Sequence, residues 1–271
     1  MVVYGEVMKA GIVITNILDM RDTASHSSER VNQLLLGDTV RWSSTRNGFA
    51  YVTKWDGYRG WADGRFLVEV ENGELSRYEE SLTHVVSVQR ARVVDSDACD
   101  IEPHVLYYGT LLHPVRKREG YLGVALVGGH SLLVKAGTIR PIKKKNGPPV
   151  RGSDLVREAK RFLGVPYLWG GITATGFDCS GLVQTIGRRL GLTLPRDTKD
   201  QIKVGEPVDR ERIKVGDLLF FERHVGIAAA DGKILHCSRS GSGVRLESLN
   251  PEHPAYREDL DKGFVTARRI V

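Results

Sequence analysis

Apolar residues are patterned differently on the two sides of residue 150. Before it, runs such as Gly37-Asp38-Thr39-Val40-Arg41-Trp42 and Phe49-Ala50-Tyr51-Val52-Thr53 are short, rich in β-branched and aromatic residues, and bounded by turn residues. That pattern predicts strands, with a tight turn at Trp55-Asp56-Gly57-Tyr58. The order of strand, glycine turn and strand returns in weaker form over 84–142, in VVSVQRARVVDSD, YYGTLLHPV, GYLGVALV and LLVKAGTIRPI, without the Gly60-Trp61 pair of the first stretch. Between the copies, 69–82 is polar and charged and reads as a connector or a short helix.

Beyond residue 150 the pattern changes. Leu182, Val183, Ile186 and Leu190 fall on one helical face, so a helix is expected over this stretch. Asp178 stands where an N-cap belongs, which puts Cys179 at the helix start. There the dipole and the free N–H groups favour negative sulfur and could help hold an oxyanion. Further on, HVGIAAA, Asp231-Gly232 and KILHCS form a strong hairpin signal. The register decides whether its two histidines can work together. A two-residue turn at Asp231-Gly232 pairs 227 with 236 and puts His224 and His236 on opposite faces. A three-residue loop of Ala230, Asp231 and Gly232, with Gly232 left-handed in a bulge, pairs 226 with 236 and puts both on one face. The second register is the one expected.

Composition narrows the function classes. At 271 residues the chain has room for two or three domains with a real core. The net charge of +6 is spread out; the tight basic run Lys143-Lys144-Lys145 abuts Asn146-Gly147-Pro148-Pro149 and reads as a solvated linker, so no nucleic-acid partner is expected. A mild positive balance suits an acidic peptide. Cys99, Cys179 and Cys237 are an odd number without framework spacing, so no disulfide scaffold is indicated. Cys237 beside His236 lacks a second Cys/His cluster, so no metal or other cofactor is expected, and Cys237 is assigned to the core. The opening MVVYGEVMKAGIVITN lacks a basic segment followed by an apolar run with a cleavage site. No stretch reaches the roughly 18 apolar residues of a membrane span. A monomeric cytoplasmic enzyme is the simplest expectation, although a trimmed secreted chain would look the same.

A lone cysteine before a helix is more often a buried hydrophobe than a nucleophile, and a lone histidine more often structural. Here six blocks occur in order: FLGVPYLWGG at 162–171, FDCSGL at 177–182, LPRDT at 194–198, VGDLLFF at 215–221, HVGI at 224–227 and ILHCS at 234–238. In these blocks the chain resembles the NlpC/P60 cysteine peptidases, which cleave bacterial cell-wall peptides. The resemblance implies a papain-like α+β catalytic domain over 150–271. It makes Cys179 the nucleophile, His224 the general base and His236 the residue that orients His224. It also puts Tyr167 beside the site, with Asp178 and Ser180 contacting substrate.

The upstream strands carry a second resemblance, to bacterial SH3-like (SH3b) modules, over 17–68 and more weakly over 84–142. The implied fold is two small all-β barrels, at 1–72 and 80–145, before the catalytic domain. Family members with this order are γ-D-glutamyl-L-diamino acid endopeptidases of murein peptide recycling. They act on cell-wall peptides with a free N-terminal L-alanine and release L-Ala-γ-D-Glu, the diamino acid being diaminopimelate or lysine. By the same resemblance, Glu29 and Tyr58 hold the alanine ammonium through a charge-assisted hydrogen bond. The competing view makes Glu29 a solvated charge and Tyr58 a packing residue. Other classes stay open at this stage: a secreted hydrolase of intact murein, a non-catalytic wall-binding module, or an amidase or acyltransferase.

Overall fold

A computed structural model describes residues 8–96, 104–142 and 148–271. Cys99 and the basic run at 143–145 lie outside them. The chain divides into two compact units, Met1–Ile142 and Lys143–Val271.

In the first unit, β1 (Lys9–Val13), β2 (Ile17–Arg21), β3 (Arg30–Leu35), β4 (Thr39–Arg46), β5 (Phe49–Thr53), β6 (Arg59–Asp63) and β7 (Leu67–Val70) form an antiparallel sheet in the order β3-β2-β6-β5-β4-β1-β7. Helix α1 (Asn72–Ser81) follows. Then β8 (His84–Val86), β9 (Arg90–Ser96), β10 (Val105–Tyr107), β11 (Leu111–Arg118), β12 (Tyr121–Ala125), β13 (Ser131–Lys135) and β14 (Ile139–Pro141) repeat that order strand for strand, as β10-β9-β13-β12-β11-β8-β14. Alternation along β2 and β4 turns Leu18, Met20, Val40 and Trp42 inward onto Leu34, Ala50 and Val52. Where β6 carries Gly60 and Trp61, β13 carries Leu132 and Leu133, and Leu132 fills the core of the second module. The weaker sequence signal thus reflects changed residues on an unchanged topology.

The polar stretch between the copies is a helix anchored by its few apolar residues. Leu75 of α1 is buried against Ala10 and Ile12, in a cluster that also takes in Tyr78 and Val127. Leu36, just past β3, belongs to the core of the second module.

The second unit contains α2 (Gly152–Lys160), β15 (Ile172–Thr173), β16 (Gly176–Phe177), α3 (Cys179–Leu190), α4 (Thr198–Gln201), β17 (Glu206–Val208), β18 (Leu218–Phe221), β19 (His224–Ala228), β20 (Lys233–Ser238), β21 (Gly243–Ser248), α5 (Glu258–Lys262) and β22 (Phe264–Arg269). Its antiparallel sheet runs β17-β22-β18-β19-β20-β21, and α3 packs on β19, β20 and α2. The periodicity of α3 predicts one apolar face, yet every residue from Cys179 to Gly187 is buried. The polar members are satisfied by the surrounding loops: Gln184 Nε2 donates to the Leu194 carbonyl at 2.9 Å, and Thr185 Oγ1 to that of Ile172 at 3.2 Å. A helix enclosed in this way cannot be shifted cheaply, so its first residue is held in place. Among the described residues, no helix is long and apolar enough to cross a membrane.

Candidate active site

The start of α3 is built around Asp178. As N-cap, its Oδ1 accepts from the Gly181 N–H at 2.7 Å, and its Oδ2 accepts from the Gly170 N–H at 2.9 Å. The Arg196 guanidinium donates to both oxygens, at 2.9 and 2.5 Å, and to Ser180 Oγ at 2.9 Å. Both side chains of this ion pair are nearly excluded from solvent, 1% exposed for Arg196 and 7% for Asp178. Removing one partner from such a pair leaves a buried charge and costs about 3–5 kcal/mol. The side chains of Asp178 and Ser180, assigned to substrate from the sequence, are therefore engaged within the fold. They tie the loop before α3 to the LPRDT segment.

Cys179 is the first residue of α3, and it is buried. Its sulfur lies 3.8 Å from Thr198 Oγ1 and faces the backbone N–H groups of Val225 and Ser180. Val225 directly follows His224, so the cysteine sits at the beginning of β19. Burial pushes the thiol pKa up and the Asp178 carboxylate adds to the effect; the Thr198 hydroxyl and the two N–H groups oppose it without prevailing. The helix start acts in the expected direction, but desolvation wins, so the resting nucleophile is a thiol.

The hairpin brings the two histidines together. Ile227 pairs with Leu235 and Ala228 with Ile234, which is the register that sets 226 against 236. The turn that produces it differs from the expected three-residue loop. Asp231 and Gly232 both have positive φ, 60° and 66°, and Lys233 N–H donates to the Ala230 carbonyl at 3.3 Å, closing a two-residue turn. Ala229 N–H donates to the Lys233 carbonyl at 2.7 Å, so Ala229 and Ala230 together oppose Lys233. A bulge on the outgoing strand thus absorbs the odd residue. Both imidazoles consequently share a face, with His224 Nε2 2.7 Å from His236 Nδ1. Gly226 makes room for them: a β-carbon there would lie 2.9 Å from His236 Cβ and 2.6 Å from Ile234 Cδ1.

Beyond His236 the line of contacts continues to groups the sequence did not single out. His236 Nε2 is 2.7 Å from Glu247 Oε2, which also accepts from Arg257 Nη1 at 2.7 Å. Glu247 is on β21, whose register sets Arg245 opposite His236. Its carboxyl is held below the usual carboxylate range, chiefly by the hydrogen bond with His236. Burial, reinforced by His236 and Arg257, pushes the His224 pKa down to about 3, while Glu247 and Asp259 pull it upward. Arg196 had a signal in the LPRDT block. Glu247 had none, because the pairing of 243–248 with 233–238 cannot be read from either strand alone.

Tyr167 bridges to Phe177, two residues before Cys179, and is half-buried; its phenol is pushed upward first by burial and then by Cys179 and Asp178. Cys237 is fully buried, its sulfur donating to the Phe177 carbonyl at 3.0 Å. Glu29 and Tyr58 belong to the first unit. Glu29 is exposed just before β3, while Tyr58 is half-buried on the module core with its hydroxyl 3.4 Å from the Val31 carbonyl. Among the described residues, no group of three or more His, Cys, Asp or Glu is placed to hold a metal ion.

The NlpC/P60 family model matches residues 164–260, spanning Cys179 and both histidines, and the bacterial SH3 domain model matches 18–68. Dipeptidyl-peptidase 6 of Lysinibacillus sphaericus is 36% identical over 260 residues, which is 92% of this chain and 95% of that protein. The γ-D-glutamyl-L-lysine dipeptidyl-peptidase of Bacillus subtilis is 31% identical over 191 residues, 65% of this chain and 63% of that protein. Its Bacillus cereus namesake is 38% identical over 132 residues, 46% of this chain and 38% of that protein. The matches to these two relatives thus span less than two thirds of either. The crystal structure of an NlpC/P60 family protein from Bacillus cereus shares the fold, with a TM-score of 0.82 at 23% identity over 96% of this chain and 99% of that one. A relative matched along nearly its whole length, together with the domain match across the cysteine and both histidines, makes this chain a member of the NlpC/P60 family.

Proposed function

We propose that this chain is a cysteine peptidase that hydrolyses the amide between the γ-carboxyl of D-glutamate and an L-diamino acid, lysine or diaminopimelate, in cell-wall peptides with a free N-terminal L-alanine. The observation that carries the chemistry is the contact between His224 and His236 on one face of the hairpin, with Cys179 at the helix start against the next residue, Val225. The substrate class is supported by the names of the Bacillus relatives.

The steps follow from the residues. His224 takes the proton from the Cys179 thiol, and the sulfur attacks the γ-carbonyl carbon of D-glutamate. The negative oxygen of the tetrahedral adduct is met by backbone N–H groups at the start of α3. The His224 imidazolium then gives its proton to the departing amine as the C–N bond breaks, leaving a thioester. Water, deprotonated by His224, attacks the thioester carbonyl; the C–S bond breaks, L-Ala-γ-D-Glu leaves and the thiol is restored. Glu29 is the proposed carboxylate for the free amine, with Tyr58 as its companion.

Mass spectrometry of L-Ala-γ-D-Glu-diaminopimelate digests, with and without N-acetylation, tests the proposal. The expected products are L-Ala-γ-D-Glu and the free diamino acid, from the unblocked peptide only. Cys179→Ala should abolish turnover while the protein stays folded, and Glu29→Ala should weaken only substrates with a free amine. Undiminished turnover by Cys179→Ala would remove the nucleophile, and equal cleavage of blocked peptide or polymeric murein would remove the substrate assignment.

A further inference from the structure

We infer that Glu247, held by Arg257, is a positioning residue that sets the proton arrangement of both histidines and so determines which nitrogen of His224 is basic. The inference rests on His224 being the general base and adds what makes it one. Glu247 Oε2 accepts from Arg257 Nη1 at 2.7 Å, and Arg245 Nε lies 3.4 Å from the other carboxylate oxygen. Arg257 is itself anchored, donating to both oxygens of Asp259 at 2.8 and 2.7 Å and to Ser240 Oγ at 3.1 Å. A carboxylate flanked by two guanidinium groups is ionised and can only accept.

The proton positions then follow in order. His236 Nε2, 2.7 Å from that carboxylate, must carry hydrogen and donate. A neutral imidazole with its proton on Nε2 offers Nδ1 as an acceptor. With His236 carrying that one proton, its Nδ1, 2.7 Å from His224 Nε2, accepts, and His224 carries its own proton on Nε2. His224 Nδ1 is left bare, free to take a proton from the thiol. Without Glu247, His236 could carry its proton on Nδ1. His224 would then accept at Nε2 and hold hydrogen on Nδ1, which disables it as a base. His236 is 1% exposed, so bulk water does not substitute for the missing acceptor.

The imidazole ¹⁵N shifts, assigned in the Cys179→Ala protein, report these tautomers without any turnover. The expected pattern is a proton on Nε2 in both rings. The opposite tautomer of His224 in this otherwise native protein overturns the inference at once, whatever the reaction. Glu247→Ala should redistribute the tautomers and lower kcat about 100-fold, the scale of a misplaced base. Its KM should stay within about twofold, because substrate contacts are untouched. Glu247→Gln, which keeps an acceptor oxygen, should retain the tautomers and recover much of kcat. Unchanged tautomers in Glu247→Ala would also refute the inference. Full activity in His224→Ala would instead refute the base assignment, so the two failures are distinguishable.

Discussion

His224 and Cys179 are both held in their uncharged forms by burial. The imidazole pKa is pushed down to about 3 and the thiol pKa is pushed up. The groups acting on His224 are His236, Arg257, Glu247 and Asp259, and the two carboxylates do not offset desolvation. Since His224 takes a proton only when neutral, kcat/KM should rise with pH along a limb far below the ordinary histidine value of 6.5. A profile between pH 3 and 9 checks this, and an acid limb centred at 6.5 or above would contradict it. The same shift affects stability. A histidine neutral in the fold and titrating at 6.5 when unfolded contributes stability fully above 6.5, which is lost as pH falls towards 3. Glu247, whose pKa is lowered by the fold, acts in the same direction, its contribution vanishing as pH drops through the folded value. Urea midpoints should therefore fall steadily below pH 6.5.

At the scale of elements, the hairpin carries the mechanism. The correct face depends on a bulge at Ala229 and Ala230 next to the Asp231-Gly232 turn. Deleting Ala230 should leave Ala229 opposite Lys233 with the register preserved, so activity should survive with the histidine pair intact. Deleting Ile227 removes a paired residue inside β19, sends His224 to the opposite face and should abolish turnover. Equal activity in both deletions would show that the register is not what matters. Gly226→Ala is a second probe, because the new methyl meets His236 Cβ at 2.9 Å and Ile234 at 2.6 Å. Overpacking of this kind costs about 1–3 kcal/mol, and it should lower kcat at least about 10-fold by moving His236. Thermal melts and steady-state kinetics on the variant measure both.

Across the whole molecule, the two β modules share one unit and are joined through apolar side chains rather than by a bare linker. Leu75 and Tyr78 of α1 pack in one cluster with Ala10 and Ile12 of β1 and with Val127 of the second module, and Leu36 from the first module lies in the core of the second. Calorimetry should therefore show the first unit melting as one transition, with Leu75→Ala lowering its stability by about 2–5 kcal/mol. Two resolved transitions, one per module, would show that these contacts do not couple them. The strand order of the two sheets is the same in spite of the exchange of Gly60-Trp61 for Leu132-Leu133, and in both modules the first position of the pair is buried and the second half-buried.

Periodicity, turn residues and caps are properties of consecutive residues, so the strands, the helix beginning at Cys179, its Asp178 cap and even the face shared by His224 and His236 were legible in the chain itself. The full enclosure of α3 was not, because its polar residues Gln184 and Thr185 are satisfied by carbonyls from other segments. Nor were the pairing of Asp178 with Arg196 and the carboxylate on the far side of His236. Arg196 arrives from a loop 18 residues on, and Glu247 and Arg257 from β21 and the segment beyond it. Only tertiary packing brings those charges to buried groups, and burial is what moves the Cys179 thiol pKa up and the His224 imidazole pKa down, away from their ordinary values.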